Sequence, residues 1–144
     1  MTWRFLHVLG VVLMLGNVIV TGVWAELLWR WDGAPRFRSV ARAIWWTDIA
    51  FTIGGSALLT TFGVLRARAL GLPLWATPWI RHGLVGLGVS TAIWLVVLLP
   101  AQRAMLADDP AVVRRALQRW RVWGWLAVAP LLWALWAMVT KQPG

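Results

Sequence analysis

The chain has 144 residues, is 60% hydrophobic, and carries 14 Lys and Arg against 5 Asp and Glu for a net charge of +9. It contains no Cys, which excludes disulfides, iron–sulfur clusters and thiolate metal sites. The basic excess does not point to nucleic acid, because it stands between uncharged apolar runs, where Arg meets anionic headgroups.

Four such runs occur: Phe5 to Ala25, Ile49 to Leu65, His82 to Gln102 and Val122 to Thr140. Each is roughly 17–21 residues, about what a helix needs to cross ~30 Å of hydrocarbon. A chain this short cannot wrap four helices of that kind in further layers. The sequence therefore predicts an all-α fold, a four-helix transmembrane up-down bundle with short amphipathic cytoplasmic segments. One domain covers residues 1–144, with spans at roughly 4–29, 43–66, 80–102 and 121–141. The first run is too long for a signal-peptide core and has no small-x-small cleavage site before the next charges, so it reads as a retained helix.

In chain order, helix one is expected from about Trp3 to Trp31, broken by Asp32-Gly33-Ala34-Pro35. Pro35 suits the first turn of the next helix, since its missing N–H has no partner there. Arg36 to Ala43 reads as an interfacial lead-in to helix two, which continues to about Arg68. Gly71, Pro73 and Pro78 mark a non-helical loop, and helix three runs from about Trp79 to Met105. Asp109 fits an N-cap and Pro110 the first helical position. Beyond them Val112, Val113, Leu117 and Trp120 alternate with Arg114, Arg115, Arg119 and Arg121. That pattern predicts an amphipathic stretch on the cytoplasmic face. It leads into helix four, where Pro130 needs a neighbour to satisfy the carbonyl it frees.

The Arg distribution sets an expected orientation. Loop one has Arg30, Arg36, Arg38 and Arg42, and loop three has Arg103, Arg114, Arg115, Arg119 and Arg121, nine in all. The other side has Arg4, Arg66, Arg68, Arg81 and Lys141, which is five. The bias places loops one and three in the cytoplasm and both termini outside, in a bacterial-type inner membrane. Of the 14 Trp, eleven fall near span ends, as suits an amphipathic indole at the headgroup boundary. Trp94, Trp133 and Trp136 lie deeper and are expected to pack between helices or against lipid, with a quinone platform as the alternative.

In helix one, His7, Gly10, Met14, Asn17, Thr21 and Trp24 recur at steps of three and four and form one stripe. Hydrocarbon penalises Asn17 and His7, so the stripe should face the bundle interior. Helix two aligns Asp48, Thr52, Gly55 and Leu59, and helix three aligns Trp79, His82, Gly86 and Val89. Their small residues allow close helix approach or leave room for a planar cofactor. His7 and His82 are the only histidines. Both sit near the start of an odd-numbered helix, hence at similar depth on diagonal helices. That placement suits haem b ligated from both faces, with interfacial hydrogen bonding as the plainer reading. Asp48 is expected about one turn inside helix two, paired with Arg30, Arg42 or an Arg of loop three. A proton-relay role is the alternative. Gly83-x-x-Gly86 lies in a membrane helix and reads as a packing feature.

Several fragments together resemble a known group: Leu6-His7-Val8-Leu9-Gly10 with Leu15-Gly16-Asn17; Thr47-Asp48-Ile49-Ala50-Phe51-Thr52 with Thr61-Phe62-Gly63; Pro100-Ala101-Gln102; and Trp136 to Lys141. They resemble the predicted integral membrane proteins of domain-of-unknown-function family 2269, which implies four helices and no assigned activity. The Leu-His start of helix one is also similar to that of the haem-containing bacterial membrane protoporphyrinogen oxidase, which implies His7 as an axial ligand. Glu26, Leu27, Leu28 and Trp29 stand where that family has its Pro-Arg-Leu pattern, so its activity is not carried over.

The residues support two functional expectations. The first is an accessory or scaffold subunit of a respiratory or photosynthetic membrane assembly, with no catalysis of its own. Its partners would be the lipid bilayer and either other membrane subunits or further copies of itself. The second is a b-type haem protein in electron transfer or quinone-linked chemistry, ligated by His7 and His82. No nucleic-acid partner is expected.

Overall fold

The computed structural model describes residues 2–30, without the side chain of Trp29, and residues 37–141. Four helices make up nearly all of it: α1 (Thr2–Arg30), α2 (Phe37–Ala69), α3 (Pro78–Ala104) and α4 (Pro110–Thr140). All four are long and apolar enough to cross a membrane. The expected break at Asp32 to Pro35 lies outside the described residues.

Local chemistry sets the ends. Asp109 is extended at φ −76°, ψ 115°, and its carboxylate accepts from the Ala111 N–H, with Pro110 opening α4 behind it. This is the cap read from the sequence. Thr77 and Pro78 start α3 in the same extended-then-proline manner. α2 stops where Gly71 takes φ +66°, a left-handed conformation that costs glycine nothing. The Leu72 and Gly71 N–H groups then close back on the carbonyls of Ala67 and Arg68 at 2.9 and 3.0 Å, satisfying carbonyls the helix would otherwise leave open.

α1 lies along α2, α4 lies along α3, and α1 also packs on α4. The backbones of α2 and α3 come close near the end that carries loops one and three, through Phe37–Thr47 and Leu99–Ala104, and side chains join the two helices further in. Arg38 joins that end by bonding the Asp108 carboxylate at 2.8 Å and the Leu106 carbonyl at 3.1 Å. Arg103 stacks over Trp45 there as well. At the far end the ammonium of Lys141 lies over Trp79. Neighbours therefore run antiparallel, the up-down order expected.

The lead-in from Phe37 is helical and continues without a break to Ala69, and the amphipathic stretch after Pro110 runs on into the rest of α4, as read from the sequence. Leu117 and Trp120 of that stretch are buried in the apolar core. Both segments have an apolar face that the bundle itself covers, so neither needs the membrane surface to bury it.

α2 and α3 each contain one wide turn of π-helix, at Asp48–Ile53 and at Trp94–Leu98. Such turns are rare and concentrate at functional positions. Neither was expected from the sequence.

Candidate functional site

Both wide turns begin at a residue of the same hydrogen-bonded cluster. Asp48 is 4% exposed, and four neutral donors from three helices close on its carboxylate. Oδ1 accepts from Asn17 Nδ2 of α1 at 2.9 Å and from the Thr52 hydroxyl, one helical step along α2, at 2.6 Å. Oδ2 accepts from the Trp94 indole N–H at 2.7 Å and from Gln102 Nε2 at 2.6 Å, both of α3. A carboxylate has about four acceptor positions, so this set fills it. Asn17 Nδ2 also reaches the Thr52 hydroxyl at 3.3 Å. Gln102 is 1% exposed, and its Oε1 is buried without a protein donor.

The expected pairing of Asp48 with an Arg is corrected here. No Arg bonds it among the described contacts. Arg38 is on Asp108, Arg103 is over Trp45, and Arg121 bonds Glu26 at 3.0 Å. Asp48 lies three turns inside a helix that begins at Phe37, and its partner Asn17 sits near the middle of the 29-residue α1. A long Arg side chain near a helix end reaches outward to the headgroups more cheaply than inward to that depth. Short neutral donors already at depth take its place.

Asp48 is linked to the loop end by a small cavity of about 30 Å³. Its walls include Asp48, Trp94, Thr21, Gly22, Arg121 and Gly124. That volume is about enough for one water, and its walls are mostly apolar. Beyond Arg121, Glu26 takes its ion pair and lies 3.4 Å from the Trp125 indole nitrogen. The side chains of Arg121 and Glu26 are 26% and 34% exposed, so the pair stands between the protein surface and the cavity beside Asp48.

The stripe read on α1 does face α2 for most of its length. His7 Nδ1 is 2.7 Å from the Leu59 carbonyl, Met14 Sδ accepts from the Ser56 hydroxyl at 3.0 Å, and Asn17 meets Asp48. A Cβ on Gly10 would come within 2.5 Å of the Leu59 backbone nitrogen, and one on Gly55 within 2.8 Å of the Met14 nitrogen. Trp24, at the end of the stripe, is partly exposed instead. On α3, Gly86 abuts the Pro130 carbonyl of α4, where a Cβ would come within 2.5 Å. Gly83 abuts Met138, while Val89 faces outward. The Ser90 hydroxyl donates to the Ala127 carbonyl at 3.0 Å, one residue along from the Leu126 carbonyl that Pro130 deprives of its N–H partner.

These contacts test the haem reading. His7 packs on Leu59 and Gly63 of α2, whereas His82 lies ring to ring with Trp133 of α4, centroids 4.9 Å apart. The two histidines engage different helix pairs. The glycines that would have made room for a porphyrin have their open faces filled by Leu59, Met14, Pro130 and Met138. The residues present therefore do not fit a haem held between His7 and His82. Close helix approach is what these glycines serve.

Sequence reading found Asn17, Asp48 and Thr52 but missed Trp94 and Gln102 as their partners. A signal existed for Trp94. An indole N–H at mid-helix needs an acceptor, and the sequence offers few carboxylates at that depth. Gln102 ends an uncharged run and reads only as the close of a span.

The arrangement defines a four-helix protein with a buried carboxylate cage and membrane-spanning dimensions. No protein-family model, no curated protein and no solved structure matches this chain.

Proposed function

We propose that the chain is an accessory or scaffold subunit of a membrane assembly in a bacterial-type cytoplasmic membrane, with both termini outside and no catalysis of its own. The observation that carries this reading is where the polar groups go. Asn17, Asp48, Thr52, Trp94 and Gln102 bond one another, Ser56 bonds Met14, Ser90 bonds α4, and His7 meets Leu59. The chemistry-bearing side chains of the spans hold helices together, and the face turned outward is apolar and rich in indoles. Trp46, Trp75 and Trp136 are about half exposed or more, with Leu95, Val96, Leu126 and Val139 among the exposed aliphatics. Such a surface suits lipid and neighbouring subunits.

Native mass spectrometry on the chain extracted from its own membranes in mild detergent tests this. The expected result is the 16.2 kDa chain in a defined complex with other membrane proteins or with copies of itself. A lone chain under every extraction condition, or a chain carrying a stoichiometric haem band in its optical spectrum, would overturn the reading.

A further inference from the structure

Beyond a scaffold role, we propose that Asp48 is a proton-binding site inside the membrane, reached from the end that carries loops one and three. Three observations meet there. The carboxylate is buried at mid-helix and is held by neutral donors, so no bonded counterion has to leave when it is neutralised. The distances around it, 2.6 to 2.9 Å from oxygen to donor, leave no room for a metal ion inside the cage, whereas a proton needs none. The cavity of about 30 Å³ brings a water-sized space to the carboxylate from the Arg121–Glu26 pair.

The cage contains a group that works in both states. With Asp48 ionised, the Thr52 hydroxyl donates to Oδ1 at 2.6 Å. When a hydronium in the cavity gives up its proton, leaving water, the new carboxyl O–H donates to Thr52 Oγ1. The Thr52 hydrogen then rotates away, since a hydroxyl donates or accepts with equal ease. The charge change is one unit, from carboxylate to neutral acid. Asn17, Trp94 and Gln102 then bond a neutral oxygen instead of an anion, and bonds to a charged group are roughly twice as strong. Proton binding thus loosens the tie among three helices without breaking it.

On the other side the path is closed. Next along the α1–α2 interface come Gly10 against Leu59 and Gly55 against Met14, with no space for a Cβ, still less for water. Among the charged side chains described, Arg121 is the one that borders the cavity, with Glu26 as its partner. Arg38 is engaged by Asp108, and Arg103 lies over Trp45.

The sequence has five side-chain carboxyls, Glu26, Asp32, Asp48, Asp108 and Asp109, few enough to assign by infrared difference spectroscopy. The full chain in lipid nanodiscs is compared between acid and alkaline buffer. A protonated-carboxyl C=O band that shifts in D2O is expected, and Asp48→Asn should remove it. The cage is left untouched by the combined variant Glu26→Gln, Asp32→Asn, Asp108→Asn, Asp109→Asn, which should retain the band. No band in the wild type, or a band lost in the combined variant, overturns the proposal even if Asp48→Asn fails to fold.

Discussion

The two halves of this bundle are held by different means. Toward loops one and three, the helices share an apolar core built from Leu28, Ile44, Leu98, Met105, Leu117 and Trp120, and beside it the Asp48 cage. Toward the termini, glycines bring the helices close: Gly10 and Gly55 against backbone between α1 and α2, and Gly86 against backbone and Gly83 against Met138 between α3 and α4. In hydrocarbon, burying an apolar side chain against a neighbour gains little over lipid, so close packing and hydrogen bonds carry association. The glycine half relies on close approach with single hydrogen bonds such as Ser56 to Met14, and it joins helices in pairs. In the carboxylate half the hydrogen bonds converge on one atom pair and tie three helices at a point.

If that contrast is right, the cage should be the more costly to break. Asp48→Ala leaves the Trp94, Gln102, Asn17 and Thr52 donors without the carboxylate on which they converge. Buried donors left unpaired cost about 1–3 kcal/mol each, so the loss over the set is several kcal/mol. Unfolding in mixed micelles should show a loss of that order, the largest of any single substitution here. A loss below about 1 kcal/mol would mean that lipid or water replaces the carboxylate and that the cage is not what ties the helices.

The glycine half should respond according to what each missing Cβ would touch. At Gly10 and Gly86 it is backbone, the Leu59 nitrogen and the Pro130 carbonyl, and backbone cannot move without separating the helices. Gly10→Ala and Gly86→Ala should each cost about 1–3 kcal/mol by overpacking. At Gly83 the nearest atom is the terminal methyl of Met138, which turns aside easily. Gly83→Ala should therefore fall below about 1 kcal/mol. Equal effects at all three positions in the same unfolding assay would show that helix spacing is set elsewhere.

The halves also differ in how well the sequence disclosed them. The glycine half was legible because its signal is local. His7, Gly10, Met14 and Asn17 recur at helical spacing, and a polar or small stripe in a membrane helix must turn inward. The four helices, the Asp109 cap and the inward face of α1 rest on the same kind of reasoning. The carboxylate half was half legible. Asp48 and Thr52 stand one turn apart, and Asn17 lies on the inward stripe. Their meeting with Trp94 and Gln102 depends on the register of α3 against α2, which no spacing within one helix reports. The wide turns at Asp48 and Trp94 shift that register further. The expectation of an Arg partner failed for a related reason. It weighed charge against charge, when the cost of bringing an Arg to that depth decides the matter.

The smallest effect expected lies at the loop end, and it separates topology from stability. Arg38 and Asp108 are 57% and 90% exposed, so their ion pair at 2.8 Å is screened and worth about 0–1 kcal/mol. Arg38→Cys should barely change unfolding, because the core next to it, not the ion pair, holds this end together. The same variant reports on orientation. Nine of the 14 basic residues belong to loops one and three and their flanks, which the positive-inside bias predicts to face the cytoplasm. The chain has no other cysteine, so a single thiol at position 38 is unambiguous. In intact cells it should stay unlabelled by an impermeant reagent and become labelled once the membrane is opened. Labelling before opening would invert the bundle. The cavity at Asp48 would then face outside, and the proton it takes would come from there.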